Sequence, residues 1–391
     1  MTMNRDIDVV NELIQKGVDI LAPQSVYIAP EVDIDRIAPK TVIYPGTTIT
    51  GETTSIGAHC KIGMGGGAHL ENVQIGNGVS LMQGVYRDST LLDGVSIRSG
   101  AELRDNCLLE EGVDIGHTVG LKQTILFPNV VLGSLINFCD ALMAGGTSRR
   151  DHSEVGSCMA LYNFTPQGDK FASLFGNAVD GLFLDCQPIF IGGQTQIVSP
   201  VSVGFGAVIA AGSKLSHDIA PNKLAISHKS CDEMRDFDAR LIFNPAKKIA
   251  NTLAYIAQLR VLSLWYENIR IPLADDVERQ YLYTAAQKRI SNAIKERQKR
   301  LERFVDKLQQ SLELHTAHGN DAQIADHQKA LLLFQNGTTS NFERIASQID
   351  FSAIRNALTE ALVSGSTYPQ AVQQLTKTIT SSMKRTLRRL V

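Results

Sequence analysis

The chain is poor in aromatic residues and has no surplus of either charge. Aromatics are 6% of its 391 residues, and Trp265 is the one tryptophan. That scarcity suits an interior made of thin aliphatic layers. The formal net charge of −2 supplies no global field to draw the chain toward nucleic acid or a membrane surface. The cysteines (Cys60, Cys107, Cys139, Cys158, Cys186 and Cys231) show no Cys-x-x-Cys spacing and read as reduced, mostly buried thiols. No apolar run reaches the roughly 18 residues that a membrane span needs. The N-terminus is charged and lacks the apolar core of a secretory signal. These absences point to a cytoplasmic protein with neither membrane nor nucleic acid as partner. Metal-ligand spacing is missing too: His315 and His318 lie three apart without an evident third ligand.

What the sequence does contain is a beat of six, running with breaks from about Val26 to Leu215. Ile191, Ile197, Val203, Ile209 and Leu215 form one unbroken run, and Ile97, Leu103, Leu109, Ile115 and Leu121 form another. Small residues follow the apolar ones, as in Ile56-Gly57, Ile115-Gly116, Leu132-Gly133 and Ile191-Gly192. A helix has no use for a period of six. A coil of short strands joined by tight corners does, because one apolar residue per side points inward and stacks on its counterpart in the next coil. Hexapeptide repeats of this kind mark parallel β-helices, which are stable only when several coils share a core. A sandwich or barrel of short strands would instead show period-two alternation with turns every 8–12 residues.

Residues 1–17 are expected to form a helix, with Ile7, Val10, Leu13 and Ile14 at helical spacing, Asn4 as cap and Gly17 as stop. Residues 18–230 form the β-helix, broken at the glycine-rich 63–67 and over the long stretch 140–187. Loops thrown from a rigid coil are where such proteins place their sites. After Lys229 the six-beat ends and the period becomes helical, so residues 231–391 read as an α-helical domain. Its basic residues (Lys288, Arg289, Lys295, Arg297, Lys299, Arg300, Arg303, Lys307) invite a nucleic-acid reading. The apolar stripe beside them favours the solvated face of an amphipathic helix. The terminal Lys384-Arg385-Thr386-Leu387-Arg388-Arg389 reads as a helix end favoured by the dipole.

Three stretches carry a family resemblance: Gly17-Val18-Asp19-Ile20 with Val26-Tyr27-Ile28, Asn163-Phe164 with Lys170-Phe171, and Pro188 to Val201 continuing to Ser227. Together they resemble the acetyltransferase half of the bacterial bifunctional enzyme that makes UDP-N-acetylglucosamine. The resemblance implies a mainly β fold, a left-handed parallel β-helix of hexapeptide repeats with the α-helical domain appended. It also implies a homotrimer, with acetyl-CoA and a sugar phosphate or nucleotide sugar bound between subunits. The uridyltransferase activity is expected to be absent, since only about 16 residues precede the coil and a doubly wound domain is needed for it.

Acetyl transfer to an amine needs a base, an anion clamp and donors for the thioester oxygen. In the family the base is a histidine, and Ser134 stands at its position, with Asn137 where the family has a tyrosine. By the same resemblance Asn163 is the active-site asparagine. Arg104, Lys122 and Lys170 match basic groups for the sugar phosphate. Phe164, Gly193, Ala210, Ala211 and His228 fall where the coenzyme is met, Gly193 replacing a serine and His228 an arginine. His152 and His117 are substitute bases or solvent-exposed bystanders. Arg149-Arg150 either grips a phosphate or is a solvated loop pair. Two functions stay open: an acyl-CoA-dependent N-acyltransferase on an amino-sugar phosphate or nucleotide sugar, or a catalytically silent sugar-nucleotide scaffold whose residues 231–391 recruit a protein partner or build an oligomer.

Overall fold

Each coil of the solenoid is a triangle whose three sides are short parallel strands. The structure is a computed structural model, and it describes residues 2–227, 234, 236–338 and 342–391. On the first face Ile20, Ile43, Ile62, Leu81, Ile97, Ile115, Leu132, Val155, Ile191 and Ile209 stack in register and are buried. The second face stacks Ile28, Ile49, Leu70, Tyr86, Leu103, Leu121, Phe138, Leu161, Ile197 and Leu215. The third stacks Ile37, Ile56, Ile75, Leu91, Leu109, Leu126, Met143, Phe175, Val203 and Ile219. The result is a parallel β-solenoid of about 11 turns, as the six-beat implies.

Both expected breaks contain more coil than the sequence suggests. The glycine-rich 63–67 lies inside one continuous strand, Lys61–Glu71, which shifts register twice. Gly63, Gly65, Gly66 and Gly67 all have positive φ, which lets the strand bulge around a corner. The long break hides a complete coil: Glu154–Val155, Ala160–Asn163 and Ser173–Phe175 occupy the three faces in turn. Val155 and Leu161 keep the spacing of six, but Phe175 follows only after 14 residues, because the loop 164–172 leaves at the corner. A further insertion holds the short helix Ala178–Gly181.

The first helix, α1 (Thr2–Gln15), begins before Asn4, so Asn4 lies inside it rather than capping it. Gly17, at φ 96°, follows its end. The short insertion helix is α2. After the last solenoid strand, Leu224–Ala225, come α3 (Pro245–Trp265), α4 (Val277–Ala317) and α5 (Asp321–Thr338). Then follow α6 (Phe342–Ala346), α7 (Ser352–Val363), α8 (Tyr368–Gln373) and α9 (Lys377–Leu387). Lys229 and Cys231 lie outside the described residues.

These helices cover the outside of the third face. There the outward column is Gln74, Thr90, Leu108, Ile125, Leu142 and Leu174, all buried. Leu108, Ile125 and Leu142 join Leu259, Leu262, Tyr266 and Ile290 in one apolar cluster. Each such side chain contributes about 1.5–3 kcal/mol when fully buried.

The basic residues of α4 are not one solvated face. Arg289 and Arg297 are buried. Arg297 Nη2 meets Asp140 Oδ1 at 2.5 Å, and Arg289 reaches the Asn72 carbonyl and Gln74 Oε1. Arg279 pairs with Asp93, and Lys307 with Asp169 at 2.6 Å. The spacing explains the match. Eight helical residues from Arg289 to Arg297 rise about 12 Å, and three rungs from Asp88 to Asp140 rise about 14 Å. The terminal basic run docks as well: Lys384 pairs with Asp185 at 2.6 Å and Arg388 with Asp180 at 2.7 Å. Near α3, the Tyr266 hydroxyl donates to Glu110 at 2.6 Å, and Arg270 pairs with Glu111.

Removing one partner of a buried pair strands a charge. Asp140→Ala should cost roughly 3–5 kcal/mol, and Asp140→Ala with Arg297→Met should recover much of it. Urea unfolding of the two variants beside the wild type checks this. Burial pushes the Glu110 carboxyl up to about 7, against the pull of Arg270. The folded state therefore holds this proton more tightly than the unfolded chain. The contribution is complete below the ordinary carboxyl range and disappears as pH rises through about 7. Glu110→Gln keeps an acceptor for Tyr266 without titrating. It should gain on the order of 3 kcal/mol over the wild type between about pH 4 and about pH 8, read from unfolding curves across that range.

Candidate functional site

The solenoid has three corners, and the residues singled out from the sequence divide among them. The corner from the second to the third face carries the basic groups. Arg104, Lys122 and Cys139 stand on successive rungs of the second face. Lys122 Nζ lies 2.7 Å from Asp105 Oδ2, and the buried Nε of Arg104 has no hydrogen-bond partner among the described residues. Burial raises the Cys139 thiol, with Asp140 raising it further. Asn163 ends the strand on the same face one coil beyond Cys139. Its Oδ1 accepts the Phe171 backbone N–H at 2.7 Å, which closes the loop 163–171.

That loop leans on the helical region. Phe164 stacks edge-on to Phe237, and Gln167 Nε2 donates to the Leu241 carbonyl at 2.9 Å. Lys307 bonds the Gln167 carbonyl and Asp169, both at 2.6 Å. A cavity of about 370 Å³ opens between Lys170 and Arg300, Arg303 and Lys307. These three α4 residues went unrecognised in the sequence as a site. Their spacings of three and four put them on one helix face, but the loop they would meet is far away in sequence.

The corner from the first to the second face is nearly bare. Gly116-His117, Gly133-Ser134, Gly156-Ser157, Gly192-Gly193 and Ala210-Ala211 stack there on successive coils. Ser134 Oγ accepts the His117 N–H at 3.2 Å, and Ser134 N donates to Ser157 Oγ at 3.0 Å. The serine thus belongs to the corner ladder. His117 is exposed, with Nδ1 3.3 Å from Thr118 Oγ1. Gly193, Ala210 and Ala211 leave the backbone accessible, as a coenzyme lying along it would need. His228 lies outside the described residues.

The corner from the third to the first face holds His152, Arg149 and Arg150. His152 Nδ1 is 2.9 Å from the Arg149 carbonyl, an oxygen that only accepts. Nδ1 therefore carries a proton, and Nε2 lies 3.7 Å from Glu154 Oε2. Arg149 bonds the Gly112 carbonyl at 3.0 Å and pairs with Asp114. His152 and Asn163 stand at different corners, on the order of 15 Å apart by the width of a face of about five residues. The structure brings Arg104, Lys122, Asn163 and Lys170 to one side of the coil and leaves His152 on another. His315 bonds the Ile242 carbonyl at 3.0 Å and packs against His327. Among the described residues no cluster of metal-ligating side chains occurs. No helix among them is long and apolar enough to cross a membrane.

The chain carries a hexapeptide-repeat solenoid of the GlmU-like kind. No family model matches it. It is 34% identical over 218 residues to the bifunctional protein GlmU of Caldicellulosiruptor saccharolyticus, covering 56% of this chain and 42% of that one. It is 30% identical to the proteins of the same name from a Geobacillus species and from Thermotoga maritima. Those matches cover 54% and 56% of this chain, and 41% and 44% of the relatives. The chain therefore spans about two fifths of the length of these relatives.

The corner ladder allows no side chains at its innermost positions. A Cβ on Gly192 would sit 2.4 Å from the Ala211 backbone nitrogen, and one on Gly156 2.4 Å from that of Gly193. Gly192→Ala should push adjacent coils apart and lower the melting temperature by several degrees, of order 1–3 kcal/mol for overpacking. Thermal unfolding followed by circular dichroism checks it.

Proposed function

We propose that the chain is an acyl-CoA-dependent N-acyltransferase, with acetyl-CoA as donor and an amino-sugar phosphate or nucleotide sugar as acceptor. The observation that carries this reading is the rung pair Arg104–Lys122 on the same face as the Asn163–Lys170 loop, with the nearly bare corner at the opposite edge of that face. The paired cations hold the phosphate, Asn163 and Lys170 orient the sugar, and the coenzyme lies along Gly193, Ala210 and Ala211. The acceptor nitrogen attacks the thioester carbonyl, its proton passes to His152 Nε2, and the carbon–sulfur bond breaks to release the thiol. The fixed Nδ1 proton of His152 suits it to this role. No doubly wound nucleotide-binding domain occurs among the described residues, and the reading includes no uridyl transfer.

A single chain keeps His152 a full face away from Asn163. The reading therefore needs neighbouring copies, with the base of one subunit meeting the acceptor held by the next, as in the homotrimer that the resemblance implies. An outward stack on the first face supports such contact. Phe190, Val208 and Leu224 lie in register and are 43%, 40% and 64% exposed. A second reading, a sugar-nucleotide scaffold without turnover, is favoured by Ser134 and its place in the corner ladder.

Thiol release from acetyl-CoA, offered glucosamine 1-phosphate and a panel of amino sugars and UDP-sugars, tests both. His152→Ala and Asn163→Ala should each abolish acceptor-dependent release. Assemblies formed from equal amounts of the two variants should recover about a quarter of wild-type activity, since that fraction of shared sites keeps both groups. No recovery would place both groups in one subunit and remove His152 as the base. No release with any acceptor, alongside sugar-nucleotide binding, would leave the scaffold reading.

A further inference from the structure

A cavity opens on the corner that also carries His152, away from the Asn163–Lys170 loop. It measures about 1060 Å³ and opens between the third-to-first corner of the solenoid, the connection from α3 to α4, and helices α7 and α8. Its size falls at the upper end of small-molecule sites. Glu111, Arg149, Arg150, Tyr283, Tyr368 and Pro369 line it.

Three arginines face this cleft, and two are already engaged. Arg149 is held by Asp114 and the Gly112 carbonyl, and Arg279 by Asp93. The guanidinium of Arg150 is exposed and has no hydrogen bond or ion pair among the described residues. It is free to take an anion, with Arg149 beside it adding field. Glu111 is 7% exposed. Its Oε1 pairs with Arg270, while its buried Oε2 has no hydrogen-bond partner among the described residues. A buried carboxylate oxygen without a donor is costly. Here that oxygen belongs to a residue lining an open cleft, where a ligand hydroxyl or amino group would satisfy it.

The aromatic wall is rigid before any ligand arrives. The Arg270 guanidinium carbon sits 3.5 Å from the Tyr368 ring centroid and 4.3 Å from that of Tyr283. Trp265 Nε1 donates to the Tyr368 hydroxyl at 2.7 Å. A wall held this way loses little entropy when a flat ring packs against it.

We infer that this cleft is a ligand site for a phosphorylated small molecule with an aromatic portion, of the nucleoside 5′-phosphate class. The phosphate sits on Arg150, a ribose hydroxyl or base amino group donates to Glu111 Oε2, and the base packs beside Tyr368 and Pro369. The site joins the solenoid to the helical region and does not depend on the acyltransferase reading.

Trp265 provides the readout, since it is the one tryptophan of the chain and touches the wall. The full chain would be titrated with AMP, ADP, UMP and UDP, with the parent nucleosides and with inorganic phosphate. Tryptophan fluorescence and calorimetry would report binding. At least one nucleotide should bind saturably with a Kd below about 1 mM. Arg150→Ala should weaken it roughly tenfold or more, and Arg150→Lys should restore part of the loss. Ala211→Glu, which blocks the proposed coenzyme corner, should leave this binding unchanged. Absence of saturable binding by every nucleotide overturns the inference. So does binding indifferent to Arg150→Ala, or binding lost in Ala211→Glu. Inorganic phosphate binding as tightly as the nucleotides would reduce the cleft to an anion grip and overturn the aromatic assignment.

Discussion

One apolar side chain per face must land on its counterpart a single rung away, about 4.8 Å along the axis. The columns from Ile20 to Ile209 and from Ile28 to Leu215 satisfy this at every coil. The rest of the molecule follows from that stacking. Corners must be tight, so they use glycine, or asparagine and aspartate in the left-handed region, as at Asn72, Asp88, Asp105 and Asp140. Backbones there approach so closely that Gly156 and Gly192 have no room for a Cβ. Extra residues leave at corners, as in the loops after Ala144 and Asn163, while the faces stay regular.

The second consequence is a face that cannot stand alone. Outward Leu108, Ile125 and Leu142 make the third face apolar on both sides. The helical region covers it. Its long helix α4 also neutralises the acids of the adjacent corner, Arg297 on Asp140 and Arg289 near Asp88. A rigid ladder of corner carboxylates at a fixed rise suits a straight helix with arginines at a commensurate rise. The apolar stripe of α4 is thus used within the chain. Covering the face also traps Glu110 and Glu111 against Tyr266 and Arg270, and so creates the buried acid whose proton is held up to about neutrality.

The third concerns chemistry on a solenoid. Each corner offers something different: cations and an asparagine loop at one, bare backbone at another, a histidine with arginines at the third. A triangular rod cannot bring its own corners together. Shared sites between copies are therefore the natural solution for this fold. The helical region offers the other solution, laying side chains over the rod to close the cavities beside Lys170 and beneath Tyr368.

The sequence by itself determined the coil, because a period of six is a local property that survives without knowledge of contacts. It also determined where the coil gives way to helices, from the loss of glycine and the change of period. It missed the coil hidden in residues 154–175, since an insertion between Leu161 and Phe175 breaks the count without breaking the stack. The doublets Leu108-Leu109, Ile125-Leu126 and Leu142-Met143 were a legible sign of a covered face. Read one column at a time, they show only the inward residue. Only the tertiary structure decided which arginines of α4 are buried, since helical spacing does not say what lies opposite. It alone separated His152 from Asn163 as well. Residues 11 apart in sequence are placed by which corner each occupies, and that depends on how many residues the inserted loops absorb.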